Sequence, residues 1–254
     1  MSENENKNTF TIAKLIPNMV TILAMCCGMF SVRLSIAGDF KQAAYYIIFA
    51  CCLDAIDGNL ARRLNATSDL GAQMDSLADF FDFGVAPGFF VYFWKMQTFD
   101  KLRFVAWMPV LLLAICMALR LARFNVALTE DDPHSPLVKY FFTGCPAPMD
   151  ALLVILPFAL ETEFGINMCP SFVIANSVII ALFAFSKIPT ITPKKMKIKN
   201  EYKNLVLLIF VVMLIGLVFK TWLTLSVVMI IYLISIVCGW PLYFKFKREY
   251  NKNK

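Results

Sequence analysis

The sequence predicts an all-α polytopic membrane protein with about eight transmembrane helices. Of its 254 residues, 59% are hydrophobic and only 17% are charged, and the mean hydropathy is +0.66. These values are too apolar for a soluble domain of this length. Eight apolar stretches each approach the roughly 20 residues that a helix needs to cross a bilayer. They cover residues 19–37, 41–63, 72–94, 104–125, 139–160, 170–187, 204–220 and 222–244.

The distribution of basic residues predicts the orientation of these spans. Eight spans put both termini on one side, and that side carries 18 of the 24 Lys and Arg residues, against six on the other. Basic flanks are retained in the cytoplasm, so we expect both termini to face the cytoplasm of a bacterial inner membrane. The net charge of +6 then reflects topology and attraction to anionic lipid, and we expect no nucleic-acid partner.

The chain divides into three parts. Residues 1–14 form a polar cytoplasmic segment without the features of a removable signal peptide, residues 15–200 form the main membrane domain, and residues 201–254 add two helices and a basic tail. The lysine-rich loop 187–204 is either a topological flank or a collar for lipid phosphates. The eight cysteines are expected to pack helices as small hydrophobes, and His134 is expected to be a solvated loop residue without a role.

Five aspartates lie in or beside the second and third spans. They are Asp54, Asp57, Asp75, Asp79 and Asp82, and each costs about 2.5–3.5 kcal/mol to insert into a bilayer. The first two are spaced i, i+3 and the next two i, i+4, so each pair shares one helix face. A short turn joins the two helices, which predicts that four carboxylates converge at their cytoplasmic ends.

Converging carboxylates repel one another unless they share protons or bind cations. A site made only of oxygen ligands suits Mg²⁺ or Mn²⁺, and two such ions can clamp the attacking and leaving oxygens of a phosphoryl group. Gly58 and Gly71 either let a ligand approach the backbone or let helices pack closely. Arg62 either binds phosphate or is an ordinary basic flank.

The stretch from residue 54 to residue 79 resembles the signature of the CDP-alcohol phosphotransferase family. It reads Asp-x-x-Asp-Gly-x-x-Ala-Arg, eight residues, then Gly-x-x-x-Asp-x-x-x-Asp. The resemblance implies the fold of that family, with residues 15–200 as its catalytic membrane domain, and Asp79 as the general base. It implies two divalent ions held by Asp54, Asp57, Asp75 and Asp79. It also implies a CDP pocket lined by Gly58, Ala61, Arg62 and Gly71.

Within that family, four further segments resemble the membrane-embedded CDP-diacylglycerol–serine phosphatidyltransferases. They are KLIPNMVT (14–21), DFGVAPG (82–88), ALRLARFNV (118–126) and FTGCPAPM (142–149). This resemblance covers roughly residues 12–200 and implies CDP-diacylglycerol and L-serine as substrates. The products would be phosphatidylserine and CMP.

Arg120 and Arg123 are the candidates for binding the acceptor. They are spaced i, i+3 at the cytoplasmic end of the fourth span, where they can hold an amino-acid carboxylate or a substrate phosphate. The alternative for both is a basic flank. Asp82 is a departure, because relatives usually carry serine there, and it can attract the ammonium group of serine. Asn125 is a weaker candidate.

Two rival functions remain open at this stage. Glycerol phosphate, inositol phosphate or choline can replace serine as the acceptor, which product analysis with labelled CDP-diacylglycerol distinguishes. An ion or proton transporter also carries acidic residues in membrane helices, but a transporter does not need Gly and Arg at CDP-pocket positions. The choice between Mg²⁺ and Mn²⁺, the acyl preference and a homodimeric state are left open.

Overall fold

In the computed structural model, the described part of the chain comprises residues 15–64, 68–98, 103–129, 141–143, 145–186, 189–191 and 203–252. Its helices are α1 (Leu15–Ala37), α2 (Phe40–Arg63), α3 (Asp69–Asp79), α4 (Ala86–Trp94), α5 (Arg103–Thr129), α6 (Ala147–Phe164), α7 (Pro170–Phe185), α8 (Lys203–Phe219) and α9 (Thr221–Lys252). Two short strands, β1 (Phe141–Thr143) and β2 (Pro189–Ile191), pair antiparallel. Residues 1–14, His134 and most of the loop 187–204 lie outside the described residues.

Helices α1 and α2 form a tight antiparallel hairpin. The chain reverses at Gly38, whose φ of 83° suits glycine, and the Asp39 side chain caps α2 by accepting a hydrogen bond from the Gln42 N–H at 3.3 Å. Small buried residues of α2, among them Ala43 and Ala44, face the bundle. Small side chains let membrane helices approach closely, and α2 therefore presents its carboxylates at a fixed distance from α1.

The third predicted span, residues 72–94, lies in one continuous helical rod whose middle part is π-helical. Ser68 begins α3 by accepting a hydrogen bond from the Gly71 N–H at 3.0 Å. A π-helical segment, Phe80–Val85, then joins α3 to α4. Because a π-helical turn contains an extra residue, the side chains of α4 are rotated about the rod axis relative to those of α3. Such segments are frequent at functional sites. The rod packs against α5 at Gly84, where an added Cβ would lie 2.9 Å from Met117 Cβ.

Helix α6 is the central helix of the described bundle. Most of its residues are buried, including Ala151, Val154 and Ile155, and it packs against α4, α7 and α9. The prediction placed its start near residue 139, but the helix begins at Ala147. Pro146 holds extended backbone immediately before it, and Phe141–Thr143 pairs with β2 instead.

Three helices of the described chain are long and apolar enough to cross a membrane. They are α1, α2 and residues 104–126 of α5. Large apolar side chains are exposed on the outer faces of the bundle, for example Met19, Phe104 and Ile179, which is the pattern expected where lipid is the solvent. The fold is therefore helical with apolar spans, as predicted, apart from the two short strands. The count of eight spans stays a prediction.

Candidate active site

Three aspartates from α2 and α3 meet at one point. One carboxylate oxygen from each of Asp54, Asp57 and Asp75 lies within 4.8 Å of the others. The spacing within each helix puts its pair on one face, and the short connection between the helices brings the faces together. Asp79, one turn after Asp75, lies within hydrogen-bonding reach of the Asp54 carboxyl group. We call these four residues the carboxylate cluster.

Asp57 is the buried member of the carboxylate cluster. Its Oδ2 accepts a hydrogen bond from the Thr21 hydroxyl of α1 at 2.7 Å, whereas its Oδ1 has no hydrogen-bond partner among the described residues. Leaving a buried charged oxygen without a partner is costly. Thr21 thus orients the carboxylate while one oxygen stays available to a ligand.

The donor set fits a divalent cation. Three carboxylate oxygens close together are hard ligands of the kind that Mg²⁺ and Mn²⁺ take. Asp57 Oδ1, which has no hydrogen-bond partner among the described residues, adds to this donor set. The mutual repulsion of the carboxylates would be relieved by bound positive charge. The carboxylate cluster can therefore hold a divalent metal ion.

The two signature glycines differ in their surroundings. A Cβ added at Gly58 would meet no atom of the described residues within 4 Å, so packing against the described helices does not explain this glycine. A Cβ added at Gly71 would lie 2.9 Å from Asn18 Oδ1 and 3.1 Å from Ser68 Oγ. Gly58 thus borders open space beside Asp57, where a ligand has room, whereas Gly71 is required by packing at the start of α3.

The remaining residues predicted for the CDP pocket lie on the last turns of α2. Arg62 is exposed, and its Nη2 donates to the Asn59 side chain at 2.9 Å. Ala61 is half-buried on the same turn. An exposed guanidinium group that has one local partner keeps further donors for a phosphate. The position of Arg62 is compatible with the predicted role and does not test it.

Arg120 and Arg123 do not act as a pair in the structure. Arg120 points into the bundle, where its Nη1 lies 3.7 Å from Asp150 Oδ2 and where Asp79 is within electrostatic range. Arg123 instead donates from Nη2 to the Phe185 carbonyl oxygen at 2.9 Å, at the end of α7, with the guanidinium group over the Phe185 ring. Arg120 is thus placed near the carboxylate cluster, and Arg123 stabilises the end of a neighbouring helix.

Asp82 and Asn125 both lie close to the signature residues. Asp82, in the π-helical segment, is buried, and its Oδ1 has no hydrogen-bond partner among the described residues. Gly28 of α1 is packed directly against it, since a Cβ there would come 2.1 Å from Oδ1. The Asn125 side chain donates to the Ser76 hydroxyl at 3.1 Å, which ties α5 to α3.

Sequence reasoning missed Thr21 and Asp150. Asp150 is a carboxylate in the first turn of α6 and is buried. The insertion cost that singled out the signature aspartates applies equally to an acid within the predicted span 139–160, so this signal was available. Thr21 carried no such signal, because a hydroxyl can satisfy itself on its own helix, as Thr21 also does by bonding to the Pro17 carbonyl at 3.2 Å.

Comparison with known proteins adds the context of a family. Residues 14–186 match the family model described as CDP-alcohol phosphatidyltransferase. A protein of Helicobacter pylori named CDP-diacylglycerol–serine O-phosphatidyltransferase is 34% identical over 94% of this chain and 96% of its own length. A protein of the same name from Mycobacterium leprae is 41% identical over 60% of this chain.

The lengths of these relatives differ. The match covers 49% of the Mycobacterium leprae protein, so the chain spans about half the length of that relative. A protein of Methanothermobacter thermautotrophicus named archaetidylserine synthase is 33% identical over 59% of this chain and 60% of its own length. The residues matched by the family model, 14–186, include the three aspartates whose carboxylates meet and whose donors suit a divalent metal.

Proposed function

The chain belongs to the CDP-alcohol phosphatidyltransferase family, and on this premise we propose that it transfers the phosphatidyl group of CDP-diacylglycerol to the hydroxyl of L-serine. The products are phosphatidylserine and CMP. The observation that carries the proposal is the convergence of signature carboxylates from α2 and α3, beside the open space at Gly58. The relative from Helicobacter pylori, which aligns over almost the whole chain, carries the name of this activity.

The chemistry asks the site to hold two substrates in line and to take up one proton. The serine oxygen forms a bond to the phosphatidyl phosphorus, and the bond from that phosphorus to CMP breaks. Asp79 accepts the hydroxyl proton as the general base. Asp79 lies within hydrogen-bonding reach of Asp54, so in this proposal the acceptor hydroxyl binds beside the carboxylate cluster.

The carboxylate cluster would hold two divalent ions, Mg²⁺ or Mn²⁺, through Asp54, Asp57, Asp75 and Asp79. When bound, such ions neutralise charge on the phosphate oxygens and lower the barrier to displacement. Thr21 keeps the Asp57 carboxylate oriented for this role. Gly58, Ala61, Arg62 and Gly71 form the CDP pocket in this proposal. Gly58 leaves room for the nucleotide, and Arg62 offers donors to phosphate.

The proposed setting is the bacterial cytoplasmic membrane, with the site at its cytoplasmic face. The long apolar helices support a membrane location, and the excess of basic residues on the side of the termini supports the orientation. A bilayer also gives CDP-diacylglycerol its natural access to the site. A homodimer is compatible with the exposed apolar helix faces and stays a proposal.

The assay that tests the proposal measures product from each candidate acceptor. Purified protein in detergent is incubated with labelled CDP-diacylglycerol, divalent metal and serine, glycerol 3-phosphate, inositol phosphate or choline. We expect CMP release and labelled phosphatidylserine with L-serine alone. Product with another acceptor and none with serine would keep the family and reject the acceptor.

A further inference from the structure

A buried ion pair joins α5 to the first turn of α6. Arg120 Nη1 lies 3.7 Å from Asp150 Oδ2, and the side chains are only 11% and 2% exposed. The distance exceeds the usual 2.7–3.2 Å of a direct N–H···O hydrogen bond. The two groups therefore attract each other across a short gap in a region that water hardly reaches.

Asp150 is closed off from any substrate. Neither of its carboxylate oxygens is accessible to solvent or has a hydrogen-bond partner among the described residues. Burying a carboxylate without compensation is costly, and two features oppose that cost. One is the Arg120 guanidinium group, and the other is the positive end of the α6 dipole, since Asp150 lies in its first turn.

Arg120 has donors to spare on the side away from Asp150. Among the described residues, its polar contacts are the Asp150 carboxylate and Met117 Sδ, which lies 3.4 Å from the same Nη1 nitrogen. A guanidinium group offers five N–H donors, so most of them remain for a ligand. Asp79 lies within electrostatic range of the same group, so the guanidinium charge acts on the proposed base.

A second layer of contacts fixes the Asp150 end of the pair. Cys145, two residues before α6, is fully buried, and it accepts a hydrogen bond from the Tyr232 hydroxyl of α9 at 3.0 Å. The start of α6 is thereby tied to α9, one of the two C-terminal helices. The backbone that carries Asp150 is therefore anchored on α9, and the Asp150 side chain is only 2% exposed.

We propose that Asp150 is a positioning residue that holds Arg120 beside Asp79, so that the guanidinium group binds the carboxylate of the amino-acid acceptor. The inference rests on the proposed function and deepens it. Asp150 touches no substrate and acts only through Arg120. Without it, the long Arg120 side chain would lose its fixed direction, and serine would bind in fewer productive orientations.

A double-mutant cycle tests this dependence. The variants are Asp150→Asn, Arg120→Gln and the two combined, assayed for kcat and KM with serine and with CDP-diacylglycerol. We expect each single change to lower kcat/KM for serine at least about tenfold, and the KM for CDP-diacylglycerol to change by less than about threefold. The double variant should lose no more than the worse single variant, because residues that act as one unit are not additive.

The combined variant also keeps the test decisive if Asp150→Asn alone folds poorly. Removing one partner leaves an unpaired buried charge, whereas the double change removes both charges. A double variant that folds and still uses serine with a wild-type KM overturns the proposal. The proposal is also overturned if the two single-variant losses in kcat/KM multiply in the double variant. It is overturned as well if the two changes are coupled in the melting temperature but not in kcat/KM.

A control with the same N···O distance of 3.7 Å is the pair of Lys220 and Glu163, which is more exposed and belongs to the other end of α6. Lys220→Gln and Glu163→Gln should leave the KM for serine unchanged. Failure of the proposed function looks different from failure of this inference. If the proposed function is wrong, the wild-type enzyme itself releases no CMP with serine. If only this inference is wrong, the wild-type enzyme releases CMP with serine, but the effects of the two changes simply add in the double variant.

Discussion

Two groups of charged side chains lie at opposite ends of α6 and of the rod formed by α3 and α4, and they are neutralised differently. At one end, where α4 finishes at Trp94, Lys95 Nζ lies 3.0 Å from Glu161 and donates a hydrogen bond to the Asn167 side chain at 2.8 Å. At the same end, Lys220 Nζ lies 3.7 Å from Glu163. We call these five residues the paired cluster. At the other end, the carboxylate cluster brings like charges together, and Asp57 Oδ1 lacks a hydrogen-bond partner among the described residues.

This difference separates charges that serve the fold from charges that serve a ligand. In the paired cluster each glutamate lies beside a lysine of the same chain. These two ion pairs join the end of α6 to the end of α4 and to the start of α9. In the carboxylate cluster four acids lie close together and the Arg120 cation is within electrostatic range of Asp79, so a bound cation would relieve the remaining repulsion. Unpaired charge in a low-dielectric environment is costly, and clustered carboxylates are tolerated where a bound cation neutralises them.

The largest expected effect is that of removing divalent metal. Excess chelator should abolish CMP release, and added Mg²⁺ or Mn²⁺ should raise the melting temperature, since a ligand that binds only the folded state stabilises it by about 2.7 kcal/mol at 100 times its Kd. Asp57→Asn should abolish most of this thermal shift, whereas Glu161→Gln should retain it. Full activity in excess chelator would reject the metal site.

The next effect separates two members of the carboxylate cluster. Asp79→Asn keeps the shape of the side chain and one oxygen but removes the proton acceptor, so turnover should fall about 10²- to 10⁴-fold. Binding of CDP and metal, measured by isothermal titration, should persist. Asp57→Asn should weaken both binding and rate. An Asp79→Asn enzyme within a few-fold of wild-type turnover would remove Asp79 as the base, and Asp82 would be tested next.

A pair of glycines near the carboxylate cluster gives opposite expectations for stability. Gly28→Ala would place a Cβ 2.1 Å from Asp82 Oδ1 and should destabilise the fold by about 1–3 kcal/mol through overpacking. Gly58→Ala meets open space and should stabilise α2 by about 0.5–1 kcal/mol. The same change should raise the KM for CDP-diacylglycerol. Melting temperature and KM measured side by side check both, and an unchanged KM would argue against a CDP pocket at Gly58.

The smallest effect is expected in the paired cluster. Glu161→Gln removes the ion pair with Lys95, whose partly exposed geometry predicts a loss of about 0.2–1 kcal/mol. Turnover and both KM values should stay at wild-type level. A loss of activity there, without a large fall in melting temperature, would contradict the division between the two ends of the molecule.

The sequence determined the features that act over one or two helical turns. The spacing of Asp54 with Asp57, and of Asp75 with Asp79, put each pair on one face, and the short connection predicted that the four carboxylates would converge. Three of them, Asp54, Asp57 and Asp75, meet at one point. Hydropathy predicted eight apolar spans, and three helices of the described residues are long and apolar enough to cross a membrane. The shared helix faces were predictable because the period of an α-helix is a local property.

Only the tertiary structure decided which residues meet across helices. Arg120 and Arg123 look equivalent at i, i+3, yet one faces Asp150 and the other the end of α7. Thr21 reaches Asp57 across 36 positions of sequence. Such pairs depend on how each helix is rotated and crossed against its neighbours, which many small packing contacts fix jointly. The sequence of one helix does not contain these packing contacts with its neighbours. Its periodicity therefore cannot predict which residue of another helix a side chain will meet.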